Sequence, residues 1–162
     1  MICKKDLKIR WMVKSDFYDV VHIDSLSYSF FWDYKKIFSI MTKNNSLGLV
    51  AEKNGIIIAY LIYESKMKSF SCSRLAVHPD HRRKGIGSDI LNSIIFRMKK
   101  NKINKIDFLI NEYNLEAQLF LKYNEFKAID IIKNKYSDVK EDAYLMRIVN
   151  YELIPAHHST HV

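Results

Sequence analysis

The sequence predicts an α/β (α+β) fold: a mixed, mostly antiparallel, twisted sheet of about seven strands with about four helices, in the order β-α-α-β-β-β-α-β-α-β-β. Three observations predict it. Ile86, Ile90, Leu91, Ile94, Ile95 and Met98 recur at helical spacing as one apolar stripe, with Asp89, Asn92, Ser93, Arg97 and Lys100 off it. Asn54-Gly55 separates two apolar, strand-like runs, and a type I′ turn needs positive φ at both central positions. Finally, a strand–helix–strand unit in the second half requires at least one parallel pair.

The elements follow in order. Lys8 to Val13 alternates as a first strand. Ser15 is expected to cap a helix from about Asp16 to Ser29, whose Phe17, Val20, Val21, Ile23 and Leu26 share a face. A shorter helix covers Tyr34 to Thr42 and stops at Asn44-Asn45. The hairpin strands run Leu47 to Lys53 and Ile56 to Met67; Ser69 to Val77 is the next strand, ended by Pro79, which cannot donate to a ladder. After the long helix, Lys105 to Ile110 is a strand and Asn114 caps a helix reaching Tyr123. Phe126 to Ile132 and Asp142 to Tyr151 read as two closing strands.

At 162 residues there is room for one core, so residues 1–154 are assigned to a single domain and Pro155 to Val162, without periodicity, to a disordered tail. No window approaches the run of about 20 apolar residues that spans a bilayer. Cys3 and Cys72 make no CxxC pair, and Met1-Ile2-Cys3-Lys4-Lys5 lacks a signal-peptide apolar stretch; both point to a reduced, cytoplasmic setting. The net charge of +8 is spread along the chain and selects no partner by itself.

The segment His78-Pro79-Asp80-His81-Arg82-Arg83-Lys84-Gly85-Ile86-Gly87 lies between a strand end and the start of the best helix. Backbone N–H groups are unpaired there and the helix dipole is positive, which favours a phosphate. An isolated G-x-G is equally a flexible loop, but its position and the adjacent basic residues favour anion binding. It is not a P-loop, since G-x-x-x-x-G-K-[ST] is absent. Nor is it a dinucleotide fingerprint, since Ile90 stands where the third glycine belongs.

The chain here resembles the GNAT superfamily of acetyltransferases. The R/Q-x-x-G-x-G/A signature stands as Arg82, Gly85 and Gly87; N-x-x-A-x-x-[LF]-[YF]-x-x-x-G-F is matched by Asn114, Ala117, Phe120 and Phe126. The closing Glu141, Asp142, Ala143 and Met146, with Asp24-Ser25 and Phe30-Phe31-Trp32, resemble the RimI-like branch, which acetylates the N-terminal alanine of a small-subunit ribosomal protein. The resemblance covers about residues 8 to 150 and implies acetyl-CoA as cosubstrate, without a metal. It implies that the backbone of Leu75, Ala76 and Val77 pairs with pantetheine, that Arg83, Lys84, Gly85, Ile86, Gly87 and Ser88 hold the pyrophosphate, and that Arg82 belongs to the same cofactor site. Asn114, also an ordinary N-cap, would touch the cofactor from the next helix.

The chemistry also needs a proton acceptor for the amine and a donor for the thiolate. The branch's glutamate, five residues before Asn114, is here Leu109, and its tyrosine, seven residues after, is Leu121. Tyr123 or Tyr113 could donate instead, although two residues along a helix turn a side chain by roughly 200°. Tyr136 could line the acceptor groove, Glu64 could act as base through water, or positioning alone could suffice. The glycine before the phenylalanine is Glu125, so Asn124 is expected to take the left-handed helix end. Arg74, where an uncharged residue is usual, would meet an acidic acceptor or face solvent. His157, His158 and His161 form no metal site without acidic partners. Three functions remain open: acetylation of a protein N-terminal amine, acetylation of a small-molecule amine, and acyl-CoA sensing by a degenerate member. A monomer or homodimer without nucleic-acid or membrane partners is expected.

Overall fold

A computed structural model describes residues 6–154, in which seven strands form one sheet in the order β1-β2-β3-β4-β5-β7-β6. These are β1 (Leu7–Trp11), β2 (Ser46–Lys53), β3 (Ile56–Lys66), β4 (Ser69–Val77), β5 (Lys105–Asn111), β6 (Lys127–Tyr136) and β7 (Glu141–Val149). Among the described residues four α-helices accompany them: α1 (Phe17–Ser27), α2 (Tyr34–Met41), α3 (Ile86–Lys100) and α4 (Leu115–Tyr123). The expected order is the one observed. The tail from Pro155 lies outside the described residues, and no helix within them is long and apolar enough to cross a membrane.

Local chemistry accounts for most boundaries. Asn54 and Gly55 have φ of 51° and 77°, as a type I′ turn between β2 and β3 demands. The Asp33 carboxylate caps α2 by accepting from Lys36 N–H, and the Asn114 side chain caps α4 by accepting from Ala117 N–H at 3.1 Å. Ser15 does not cap α1. Lys14–Asp16 instead form a 3₁₀ turn, and the Asp16 carboxylate accepts from Val13 N–H at 2.8 Å while Arg10 grips both its oxygens. The left-handed residue after α4 is Glu125 (φ 70°), not Asn124, which stays at φ −91°. Phe126 N–H reaches Leu121 C=O and Glu125 N–H reaches Lys122 C=O, the Schellman pattern, which places the left-handed residue one position beyond Asn124.

Each face of the sheet buries a separate core. On one, α3 lays Ile86, Ile90, Leu91, Ile94 and Met98 over Leu61, Tyr63, Ile106, Phe108 and Met146. On the other, Phe17, Val20, Ile23, Ile37 and Ile40 of α1 and α2 cover Val50, Tyr60, Ile62 and Ala76. Burial of each such side chain stabilises the fold by about 1.5–3 kcal/mol.

β4 and β5 form the parallel pair that the strand–helix–strand unit requires, but only from Ser69↔Lys105 to Cys72↔Phe108. At that point β4 carries a bulge: Ile62 opposes Arg74 while Tyr63 opposes Cys72, leaving Ser73 as the extra residue. A one-residue insertion swaps the faces. Phe70 and Cys72 therefore belong to the α3 core, whereas Ala76 belongs to the α1–α2 core. Beyond the bulge the two strands splay apart. β5 instead continues in register with β7 to Asn111↔Ala143.

Candidate active site

The splay leaves β4 with one unpaired edge. His78 N–H bonds to Ile58 C=O at 2.8 Å, so by antiparallel alternation Leu75 and Val77 aim their peptide groups away from β3. Both carbonyls on that edge are taken by side chains. Tyr28 O–H donates to Leu75 C=O at 2.5 Å, and Arg82 Nε donates to Val77 C=O at 2.9 Å. The neighbouring N–H groups have no strand partner, and an extended ligand rich in amides can occupy the place a strand would fill.

The turn after β4 continues this opening. Pro79–His81 form a 3₁₀ turn, Arg83 is left-handed (φ 57°), and Gly85 (φ 82°) stands as N-cap of α3. Asp89 N–H, bonded to Gly85 C=O at 2.9 Å, is the first amide of α3 to find a carbonyl in its own helix. The amides of Ile86, Gly87 and Ser88 are therefore the free donors of a helix N-terminus, aligned with its dipole. A Cβ on Gly85 would meet nothing within 4 Å, so the space outside that residue is open for a ligand. These donors fit a pyrophosphate.

The basic residues of the turn divide into two kinds. Arg82 ties the turn to its surroundings: beyond Val77 C=O, its Nη2 donates to Ser27 Oγ at 2.9 Å, at the end of α1. Lys84 Nζ donates to Asp80 C=O at 2.7 Å. Arg83 is exposed and only loosely paired with Glu116 at 3.9 Å. Gly87 has another reason to be glycine, since a Cβ would sit 3.0 Å from Cζ of Phe120 on α4. The His78 and His81 rings flank the turn, 5.8 Å apart, and His78 Nδ1 accepts from Asp80 N–H.

On the α1–α2 side of the splay, Arg74 is the centre of a buried network. It neither faces solvent nor points at an acceptor. Its Nε and Nη2 bond both oxygens of the fully buried Asp24, at 2.9 and 3.1 Å, and Nη2 also donates to Phe30 C=O at 2.7 Å. The guanidinium lies over Tyr28 at 3.7 Å and Trp32 at 4.7 Å. Asp24 accepts further bonds from Tyr60 O–H and Trp32 N–H. The segment between α1 and α2 is thus fastened to β4 where its open edge begins. A lone Arg in a strand gives no sign of this; the separated Asp24 and Phe30-Phe31-Trp32 were the available hint.

The candidate proton-transfer residues are not brought together. Glu64 pairs with Ser71 in the closed half of β3–β4, with its carboxylate 3.9 Å from Lys43 Nζ. Tyr123, 85% exposed, ends α4, and Tyr113 is also exposed. Leu121 is buried in the α3-side core, and Leu109 lines the cleft face of β5. Tyr136 lies within electrostatic reach of Arg74 on β4. It ends β6 opposite Glu141, half-buried; burial pushes its hydroxyl above the usual tyrosine value, Arg74 pulls it down, and Glu141 pushes it up, with a net rise. His157, His158 and His161 lie outside the described residues.

Known proteins match this arrangement. Residues 8–126 match the model of the acetyltransferase (GNAT) family. The [ribosomal protein bS18]-alanine N-acetyltransferase of Escherichia coli K12 is 25% identical over 129 residues, covering 78% of this chain and 86% of the relative. The crystal structure of the ribosomal-protein-S18-alanine N-acetyltransferase from Escherichia coli superposes with a TM-score of 0.79 at 23% identity, over 88% of this chain and 93% of that one. Naa50 of Arabidopsis thaliana, in complex with the bisubstrate analogue CoA-Ac-MVNAL, gives 0.76 at 18% identity over 90% and 99%. With a helix-N-terminal cradle, a splayed parallel pair and a family match over most of its length, the chain belongs to the GNAT family of acetyltransferases and is an acetyl-CoA-dependent N-acetyltransferase.

Proposed function

We propose that the chain transfers the acetyl group of acetyl-CoA to the N-terminal amine of a protein, in the manner of the ribosomal-protein acetyltransferases it is similar to. One observation carries the acetyl-CoA half of this reading: the unpaired edge of β4 and the free amides that open α3 stand at the two ends of one short turn. The backbone of Leu75, Ala76 and Val77 holds pantetheine, and Arg83, Lys84, Gly85, Ile86, Gly87 and Ser88 hold the pyrophosphate. Arg82 acts on the same site by fixing the turn to Val77 and Ser27. Asn114 stands at the start of α4 beside this turn, where its free amide edge can meet the cofactor while its oxygen caps the helix. An N–H of the β4 edge directed at the thioester oxygen supplies electrostatic stabilisation as charge develops there.

The acceptor half rests on the bS18-alanine acetyltransferase likeness over most of both chains. Phe30, 88% exposed, and Phe31 stand beside the cleft, where they offer apolar contact to a peptide. Incubation with acetyl-CoA and a panel of N-terminal peptides, polyamines and aminoglycosides, with free thiol monitored, tests it. Thiol release on peptides with a free α-amine, and none when that amine is blocked, is expected. Faster release on a small amine would replace the acceptor. The leucines at 109 and 121 support the alternative of an acyl-CoA sensor, which tight acetyl-CoA binding without transfer to any amine would establish.

A further inference from the structure

We infer that Glu141, held by Asn111, is the proton acceptor of this enzyme and works with Tyr136 across the cleft mouth. The inference rests on the transferase reading above.

Leu109 and Asn111 lie on one face of β5, about 7 Å apart along the strand. Their even-numbered neighbours, Ile106, Phe108 and Ile110, point into the α3 core, so the odd residues face the acceptor side. Leu109 is one residue past the last β4–β5 pair, at the apex of the splay. Asn111 is three past it, where β5 has left β4 and pairs with β7 alone, opposite Ala143. A side chain at 111 therefore stands farther into the open part of the splay than one at 109.

Asn111 itself cannot accept a proton, but its orientation is fixed. Its Oδ1 accepts from Tyr113 N–H at 2.8 Å, so Nδ2 must point outward, and it donates to Glu141 Oε2 at 2.5 Å. Among the described residues Glu141 Oε1 has no hydrogen-bond partner. Tyr136 is the cross-strand neighbour of Glu141 and so projects from the same face. Its hydroxyl, half-buried, likewise has no hydrogen bond among the described residues, and Arg74 from β4 acts on it electrostatically. A carboxylate oxygen and a phenolic O–H, on cross-strand neighbours and both without partners among the described residues, thus share the acceptor-side face with Asn111, Arg74 of β4 acting on the phenol, in a chain that lacks both acid–base side chains of the branch it resembles.

The proton balance closes within this pair. The amine lone pair forms the N–C bond to the acetyl carbon, and the C–S bond breaks with its electrons left on sulfur. The nitrogen gives up one proton to Glu141, directly or through a water. The thiolate takes one from Tyr136, which regains it from Glu141.

The test uses the full chain and the best peptide of the panel. Glu141→Gln keeps an oxygen for Asn111 Nδ2, so the hairpin survives while basicity is lost. We expect kcat to fall 10²- to 10⁴-fold with the acetyl-CoA Kd unchanged. The deficit should narrow as pH rises, because hydroxide can then take the nitrogen's proton in place of Glu141. Leu109→Glu should raise kcat at least tenfold more in the Glu141→Gln background than in wild type; an equal gain in both would assign Glu141 a structural role and overturn the inference. A Glu141→Gln kcat within threefold of wild type overturns the inference and leaves the transferase reading intact. Wild-type protein that acetylates no amine removes both. Where Glu141→Gln does not hold its fold, Tyr136→Phe, which breaks no hydrogen bond, takes its place; kcat within threefold of wild type again overturns the inference.

Discussion

Asp24→Ala should be among the most destabilising single substitutions in this chain. Asp24 is fully buried and accepts from Arg74 twice, from Tyr60 O–H and from Trp32 N–H. Its removal leaves a guanidinium whose side chain is only 15% exposed without its counter-charge, and a fully buried tyrosine hydroxyl without an acceptor. Removing one member of a buried ion pair costs about 3–5 kcal/mol, because the partner's charge stays desolvated. For a domain of this size, 1 kcal/mol moves Tm by about 2–4 °C, so a drop of roughly 6–20 °C is expected. Most of the loss comes from the stranded charge and not from the missing attraction. Asp24→Leu combined with Arg74→Met should therefore recover much of it. Urea or thermal melts followed by far-UV circular dichroism measure both. A loss below about 1 kcal/mol for Asp24→Ala, or a double variant no better than the single one, would refute the reasoning.

Four further outcomes follow from the same geometry. Gly85→Val places a branched side chain at φ 82°, which costs about 1–2 kcal/mol, and fills space no protein atom occupies; binding of acetyl-CoA should be lost from a folded protein, as calorimetry would show. Gly87→Ala meets the movable Phe120 ring at 3.0 Å and gains helix propensity of up to about 1 kcal/mol, so its Tm should stay within a few degrees of wild type. Arg82→Lys loses the fork that joins Val77 to Ser27, and the acetyl-CoA Kd should rise about tenfold, near 1.4 kcal/mol, with little change in kcat at saturation. The fourth concerns pH. Burial pushes the Asp16 carboxyl up, but its hydrogen bonds from Arg10 and Val13 N–H outweigh this and hold it below the 3.8 of a free aspartate. A depressed carboxyl contributes fully above 3.8 and loses its contribution as pH falls through the lower folded value. The stability gap between wild type and Asp16→Asn should be constant at neutral pH and close only below pH 3.8; a gap that closes near pH 6 would contradict it.

The features legible in the sequence share a physical origin: they are local. Asn54-Gly55 declares its turn by needing two positive φ values, the stripe from Ile86 to Met98 declares α3, and Asn114 declares a cap. The turn that opens α3 is legible for the same reason, as strand, glycine and helix start are contiguous. What escaped is non-local. The bulge at Ser73 turns Arg74 toward Asp24, fifty residues away, and no pattern within β4 announces it. Ser15 was a reasonable cap by type, but the Arg10–Asp16 pair draws the chain into a 3₁₀ turn first. Glu125 in a left-handed conformation defies its own preference, because the Schellman bonds after α4 fix the position whatever residue fills it. The link between Asn111 and Glu141 joins two strands thirty residues apart and exists only once β5 leaves β4 for β7.

Backbone amide shifts on titration with acetyl-CoA, read by ¹⁵N NMR, test the central claim most directly. The account expects the largest changes at Leu75 and Val77 on the open edge of β4 and at Arg83 through Ser88 around the start of α3, with the closed half of β3–β4 near Glu64 quiet. Saturable binding that moves the amides around Glu64 and leaves Gly85 through Ser88 unchanged would contradict it.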